Sequence, residues 1–243
     1  MSRLRLMVCP HDTAKDPEKW YYFAQYIALK LNAEVGFDIA SDFKDFHEKL
    51  PTADIVYANP RDTVKIIETL DFQTLARPED IYDEVVFIAS NDIEEPKLPD
   101  LQGERIATVM SMLPTNIALH LLEKESIEPG ELVDNDTWIS VMNAVRRNDV
   151  RFGFVYKDTY DALSGLSRSL FNMFHASKER LAFHSINVSP NAAVLKDTLA
   201  DLLVGMNEEA QGKDVLRGLA FSRWVRVTEM ELDTVKGVVQ AYV

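Results

Sequence analysis

The chain has 243 residues, 47% apolar and 27% charged, enough for one large domain or two lobes of about 100 residues each with a substantial core. Its 39 acidic residues outnumber its 26 basic ones, for a formal net charge of −13, a field that repels nucleic-acid phosphates and anionic membranes. The acidity itself is ordinary solubilising surface, and local donors in a cleft can still dominate there and hold an anion.

The single cysteine, Cys9, excludes an intramolecular disulfide, and in the apolar run Leu4-Arg5-Leu6-Met7-Val8-Cys9 it reads as a buried small hydrophobe. The apolar stretch at the start is too short for a signal-peptide core, and no run approaches the length of a membrane span. As it stands the sequence reads as cytoplasmic and soluble, or as periplasmic if a leader has been removed.

In chain order, residues 3–9 form a predicted strand, followed by the loop Pro10-His11-Asp12-Thr13. Residues 17–31 place Trp20, Phe23, Ala24, Ile27, Ala28 and Leu31 on one helical face, with Pro17 early where its missing N–H costs nothing. Residues 34–39 alternate as a strand bearing Val35, Phe37 and Ile39 on one side. A short helix runs from Ser41 towards Leu50, a third strand covers 54–57, and a helix covers 61–70. Residues 84–89 are apolar enough for a strand buried on both faces.

The polar segment 90–99, with Pro96 and Pro99, marks a boundary. A turn at 100–103 leads into a strand at 105–109, a helix at 114–124, a helix at 138–147 and a strand at 150–156. Residues 159–166 read as helical, 181–186 as the chain crossing back, and 190–207 and 213–219 as closing helices. The alternation predicts an α/β fold with helices on both faces of mixed, mostly parallel sheets.

No Gly-rich phosphate loop, nucleophile elbow or metal-ligand spacing is present, so neither a cofactor nor a metal is expected. Ligands of open α/β sheets bind beyond the carboxyl ends of strands. The polar candidates there are His11, Asp12 and Thr13 after the first strand, Tyr57 and Asn59 after the third, and Ser111, Thr115 and Asn116 between the strand ending near Val109 and the helix at 114. Phe37, Asn135, Trp138 and Tyr156 complete the set of candidate ligand contacts. A helix starting at or just before Pro114 exposes N–H groups that accept an anion, although Ser111 also reads as its N-cap. His11 beside Asp12 reads more readily as structural than catalytic, and no nucleophile–base pair is visible.

Four stretches carry a family resemblance: residues 3–10 with the helix and Phe37 strand after them; Ala53-Asp54-Ile55-Val56-Tyr57; Leu98-Pro99-Asp100-Leu101-Gln102-Gly103-Glu104-Arg105-Ile106-Ala107; and Ala144-Val145-Arg146-Arg147-Asn148-Asp149-Val150-Arg151-Phe152-Gly153. In order and spacing they resemble the phosphate/phosphite/phosphonate-type substrate-binding proteins of ABC transporters, which have the type 2 periplasmic-binding-protein fold. The resemblance implies two lobes, residues 1–89 plus 184–243 and residues 90–183, closing by hinge motion on a small, anionic ligand in an interlobe cleft. It implies a solute-binding protein rather than an enzyme, serving an ABC permease or a signalling partner, with no nucleic acid and no membrane insertion.

The sequence departs from the family where a Ser-Thr-Ser-Gly-like stretch binds phosphonate oxygens; Ser111-Met112-Leu113-Pro114-Thr115 stands there instead. The family's later His is replaced by the segment Asp134-Asn135-Asp136-Thr137-Trp138, so that Trp138, Met112 and Tyr57 suggest a more apolar pocket. Two alternatives stay open: an enzyme of the thiamine-precursor or menaquinone-pathway type on the same fold, and a degenerate module that docks a protein partner.

Overall fold

The computed structural model describes residues 3–14 and 16–241; residues 1, 2, 15, 242 and 243, including the first two of the N-terminal stretch, lie outside the described residues. The chain divides into two compact units, Met1–Ile81 with Phe183–Val235, and Tyr82–Ala182 with Lys236–Val243.

In chain order the first unit opens with β1 (Leu4–Val8), α1 (Pro10–Thr13), α2 (Pro17–Leu31), β2 (Val35–Asp38), α3 (Phe43–Lys49), β3 (Ile55–Ala58), α4 (Pro60–Leu70) and β4 (Gln73–Pro78). The second holds β5 (Val85–Ala89), β6 (Arg105–Thr108), α5 (Leu113–Lys124), β7 (Glu131–Asp134), α6 (Trp138–Arg146), β8 (Phe152–Tyr156), α7 (Lys157–Asp161), α8 (Gly165–Arg168) and β9 (Asn172–Ala176). The chain then returns through β10 (Ser185–Val188), α9 (Lys196–Gly205), α10 (Ala210–Leu219) and β11 (Trp224–Arg226), and α11 (Glu229–Gln240) begins in the first unit and ends in the second.

Local chemistry sets these limits. Asp16 caps α2 by accepting from the Glu18 amide at 3.1 Å, Pro17 occupies the first turn, and Asn32 ends the helix in the left-handed region at φ 48°. Asp42 caps α3 and Asn59 caps α4 in the same way. The turn before β6 needs glycine twice. Gly103 adopts φ +71°, and a side chain on Gly130 would collide with the Gly103 carbonyl oxygen at 2.3 Å.

The first unit is a six-stranded sheet in the order β11-β4-β10-β3-β1-β2. β1 runs parallel to β2 and β3, whereas β10 is antiparallel to both β3 and β4, and β11 to β4. One face packs Trp20, Phe23, Ile27, Leu199, Leu203, Leu216 and Trp224; the other packs Phe46, Leu50, Ile66 and Phe72. The second unit is a five-stranded sheet, β7-β6-β8-β5-β9, with β6 parallel to β7 and β8, and β5 antiparallel to β8 and β9. Val86, Ile88, Ala107, Val141, Val145 and Val155 form a core on one face.

Both sheets are mixed. The antiparallel pairs come from strands that return to a sheet started earlier in the chain, β10 above all. The division at Ile81 and Tyr82 puts β5 in the second unit, ahead of the crossing expected at Ser90. The helix expected over 190–207 is a 3-10 segment, Pro190–Leu195, leading into α9, and the one expected over 159–166 is the two short helices α7 and α8.

Candidate functional site

In the first unit, polar groups gather where β1 and β3 end and β10 begins. Because β10 is antiparallel to β3, with Ser185 opposite Ala58, the residue before it, His184, sits at the carboxyl end of β3. His184 Nδ1 lies 3.0 Å from Asp12 Oδ2 on α1, and its ring is 5.5 Å from Tyr57. Burial pushes the Asp12 carboxyl up, but attraction to His184, the hydrogen bond from it, and attraction to His11 and Lys19 together hold it below the usual carboxylate range. An ionised carboxylate only accepts, so His184 carries its proton on Nδ1.

Next to this pair, Asn59 caps α4, its Oδ1 accepting from the Asp62 amide at 2.9 Å. Its Nδ2 donates to Asp62 Oδ2 at 2.6 Å and approaches Cys9 Sγ at 3.6 Å. The second Asp62 oxygen meets His47 Nε2 at 2.6 Å. Burial pushes the Cys9 thiol up to about 11, which keeps it protonated at neutral pH. Arg61, in the first turn of α4, is half-buried, and loss of water lowers its guanidinium from the ordinary value.

In the second unit, the turns after β6 and β7 are laced together. The Asn135 amide donates to the Thr108 carbonyl at 2.9 Å, and the Met110 amide donates to Asp134 Oδ1 at 2.9 Å. α6 is capped reciprocally by Thr137 and Ser140. α5 differs: its N-cap is Met112, not Ser111, and no side chain accepts from its first turn. Ser111 is exposed on the loop just before it.

The structure sorts the remaining candidates. Thr115 is buried, its hydroxyl donating to the Val109 carbonyl at 2.7 Å and lying 2.6 Å from the Thr108 hydroxyl. Asn116 is buried too, donating from Nδ2 to the Val238 and Val239 carbonyls at 3.1 and 3.4 Å. Asn135 Nδ2 donates to the Val133 carbonyl at 2.9 Å. The Tyr156 hydroxyl donates to Asp83 at 2.9 Å. Tyr57 is 1% exposed, its ring 4.6 Å from Trp20, and Phe37 packs on the same core. Trp138 is half-buried at the start of α6.

The fold thus brings His11, Asp12 and Asn59 to one end of the first sheet, and Ser111, Asn135 and Trp138 to one end of the second. His184, Arg61, His47 and Asp62 were missed as candidates; His184 stood in the segment expected only to cross between lobes. Among the described residues no group of three His, Cys, Asp or Glu side chains is placed to hold a metal ion, and no helix is long and apolar enough to cross a membrane.

Several solved structures share this fold at low identity. XAC2383 from Xanthomonas citri, bound to chloride, matches with a TM-score of 0.77 at 14% identity over 100% of this chain and 99% of that one. PhnD1 from Prochlorococcus marinus, in complex with methylphosphonate, matches with a TM-score of 0.72 at 12% identity, covering 98% and 97%. The periplasmic aliphatic sulphonate binding protein SsuA from Escherichia coli matches with a TM-score of 0.70 at 11% identity, covering 100% and 92%. These neighbours share a type 2 periplasmic-binding-protein architecture. The chain matches no curated protein. Residues 6–232 match the family described as ABC transporter, phosphonate, periplasmic substrate-binding protein, and the chain belongs to that family.

Proposed function

We propose that the chain binds a small oxyanion, a phosphonate-like group or an organic acid, and delivers it to an ABC permease from the periplasmic side, without chemical turnover. The observation that carries this reading is the start of α5. It opens at the carboxyl end of β6 with no side-chain cap; Pro114 carries no N–H and the Thr115 amide donates to the Met112 carbonyl at 3.2 Å, so the Leu113 N–H and the positive dipole end are what it offers a ligand, with the exposed Ser111 hydroxyl beside them.

The first unit also gathers donors at the ends of β1 and β3: the His184 imidazole beside Asp12, with His11 on the same turn as Asp12 and Arg61 at the neighbouring strand end. Family membership supports a small-molecule ligand and a permease partner, and the neighbours crystallised with methylphosphonate and chloride support an anion. Binding without turnover is supported by Cys9, whose thiol is held protonated and so is not a ready nucleophile.

A thermal-shift series with phosphate, phosphite, alkylphosphonates, sulfate and carboxylates tests the reading. A ligand at about 100 times its Kd stabilises the folded chain by about 2.7 kcal/mol, a rise of several degrees in Tm. No shift with any compound overturns oxyanion binding. A changed ligand mass after incubation overturns binding without turnover.

A further inference from the structure

We infer that oxyanion binding is proton-linked: a histidine cluster in the first unit strengthens it at acid pH and weakens it as pH rises through neutrality. The inference rests on the oxyanion reading and concerns the regulation of the same site.

The chain has five histidines, and three of them meet at one end of the first sheet. His11 follows β1 on α1, His184 enters β10 beside the end of β3, and His47, on α3, reaches the first turn of α4. The other two, His120 and His175, belong to the second unit. Two of the three face carboxylates. His184 Nδ1 stands 3.0 Å from Asp12 Oδ2, and His47 Nε2 stands 2.6 Å from Asp62 Oδ1. Both pairs belong to one network. Asn59 Nδ2 bridges Asp62, at 2.6 Å, and Cys9 Sγ, at 3.6 Å, and the charges of His184 and Asp12 both act on the Cys9 thiol.

The charge balance of this network sets the effect. Asp12 and Asp62 bring two carboxylates. Lys19, close enough to attract Asp12, and Arg61, next to Asp62 on α4, bring two cations. With neutral imidazoles these cancel, and this end of the sheet offers an anion no net attraction. The buried thiol stays protonated and adds no charge. The rings of Phe43 and Phe46 flank His47, the ring of Tyr57 flanks His184, and on α3 Lys49 already pairs with Asp45 at 2.7 Å. Each imidazole that gains a proton therefore adds an uncancelled positive charge, up to three. Histidine is the side chain that makes this change between about pH 5 and 8. The Asp62 and His184 side chains are only 7% and 10% exposed, so water and salt screen these charges less than they screen surface ones. In a chain of formal net charge −13, such a local positive charge is what draws an anion to this end. By reciprocity, a bound anion makes the network hold its protons more tightly, so binding takes up protons near neutral pH.

Isothermal titration of the full chain with sulfate, methanesulfonate and methylphosphonate, from pH 5.5 to pH 8.5 at fixed ionic strength, tests the inference. Sulfate and methanesulfonate keep their charge over this range. The titration of methylphosphonate itself is common to native chain and variant and cancels in their ratio. Affinity for the fixed-charge anions should fall about tenfold or more across the range. Titrations in buffers of different ionisation enthalpy should show proton uptake on binding. His47→Gln keeps a donor for Asp62 but gains no proton, so it should lower affinity several-fold at pH 5.5 and leave it unchanged at pH 8.5. Adding His11→Gln should flatten the profile further, and the ligand-free Tm of both variants checks that they fold. The native profile and the proton uptake need no variant. Equal affinity for a fixed-charge anion at both ends of the range, or a native-to-variant ratio that does not change with pH, overturns the inference and leaves oxyanion binding in place. Absence of binding by all three compounds at every pH removes the oxyanion reading and the inference together.

Discussion

Cys9 closes β1 with none of its surface exposed, and the Asn59 amide approaches its sulfur at 3.6 Å. Burial disfavours the thiolate, so the folded chain holds the thiol proton up to about 11 against an ordinary value of 9.0. The sign follows from linkage: a group whose folded value is raised contributes stability in full below the unfolded value and loses it as pH rises through the folded one. The window is therefore pH 9 to 11, and the contribution is on the order of 2–3 kcal/mol. Denaturant melts of the native chain and of Cys9→Ala across pH 8–11 check it. The variant should start less stable, because it leaves a small cavity, and should show a shallower loss across that window. The native chain should also resist a thiol reagent at pH 8 and release one thiol equivalent on unfolding, since Cys9 is the only cysteine.

Two helix starts in the second unit separate capping from binding. Thr137 accepts from the Ser140 amide at 3.1 Å, so Thr137→Ala should cost about 1 kcal/mol in a urea melt. Ser111 caps nothing, so Ser111→Ala should leave stability within about 0.5 kcal/mol while weakening anion affinity several-fold by calorimetry. A stability loss at Ser111 comparable to that at Thr137 would return it to the role of a cap. The same elements show what the residue pattern reveals. α2 was legible from its 3.6-residue apolar stripe, and β5 from five consecutive apolar residues. β7, Glu-Leu-Val-Asp, and the three-residue β11 carry too little pattern, and β4 hides its strand character behind Arg77 and Pro78. Thr115 and Asn116 have the residue types and position of ligand contacts. Their actual partners, the Val109 carbonyl and the backbone near the chain's end, are set by tertiary structure alone. His184 was invisible for the converse reason: only the antiparallel entry of β10 brings it to Asp12.

Neither unit is a continuous stretch of chain, but the two are discontinuous to different degrees. All five strands of the second sheet come from Tyr82–Ala182, and only the short tail Lys236–Val243 is added later. The first sheet needs β10 and β11 from beyond the second unit. Forming contacts distant in sequence costs loop-closure entropy, so the second unit should fold first. Pulse-labelled hydrogen exchange during refolding should show amides of β5, β6 and β8 protected before those of β3, β4 and β10. Simultaneous protection would contradict this order. The position of β10, wedged between β3 and β4 and paired with both, has a further consequence during synthesis. Until residues 185–188 leave the ribosome, β3 and β4 each face an empty seam of unpaired backbone, the kind of edge that recruits foreign strands. A nascent chain stalled before that point leaves one edge of β3 and both edges of β4 unpaired, since β11 is also still to come. That interval is when a holding chaperone would matter most and when truncation would be most damaging.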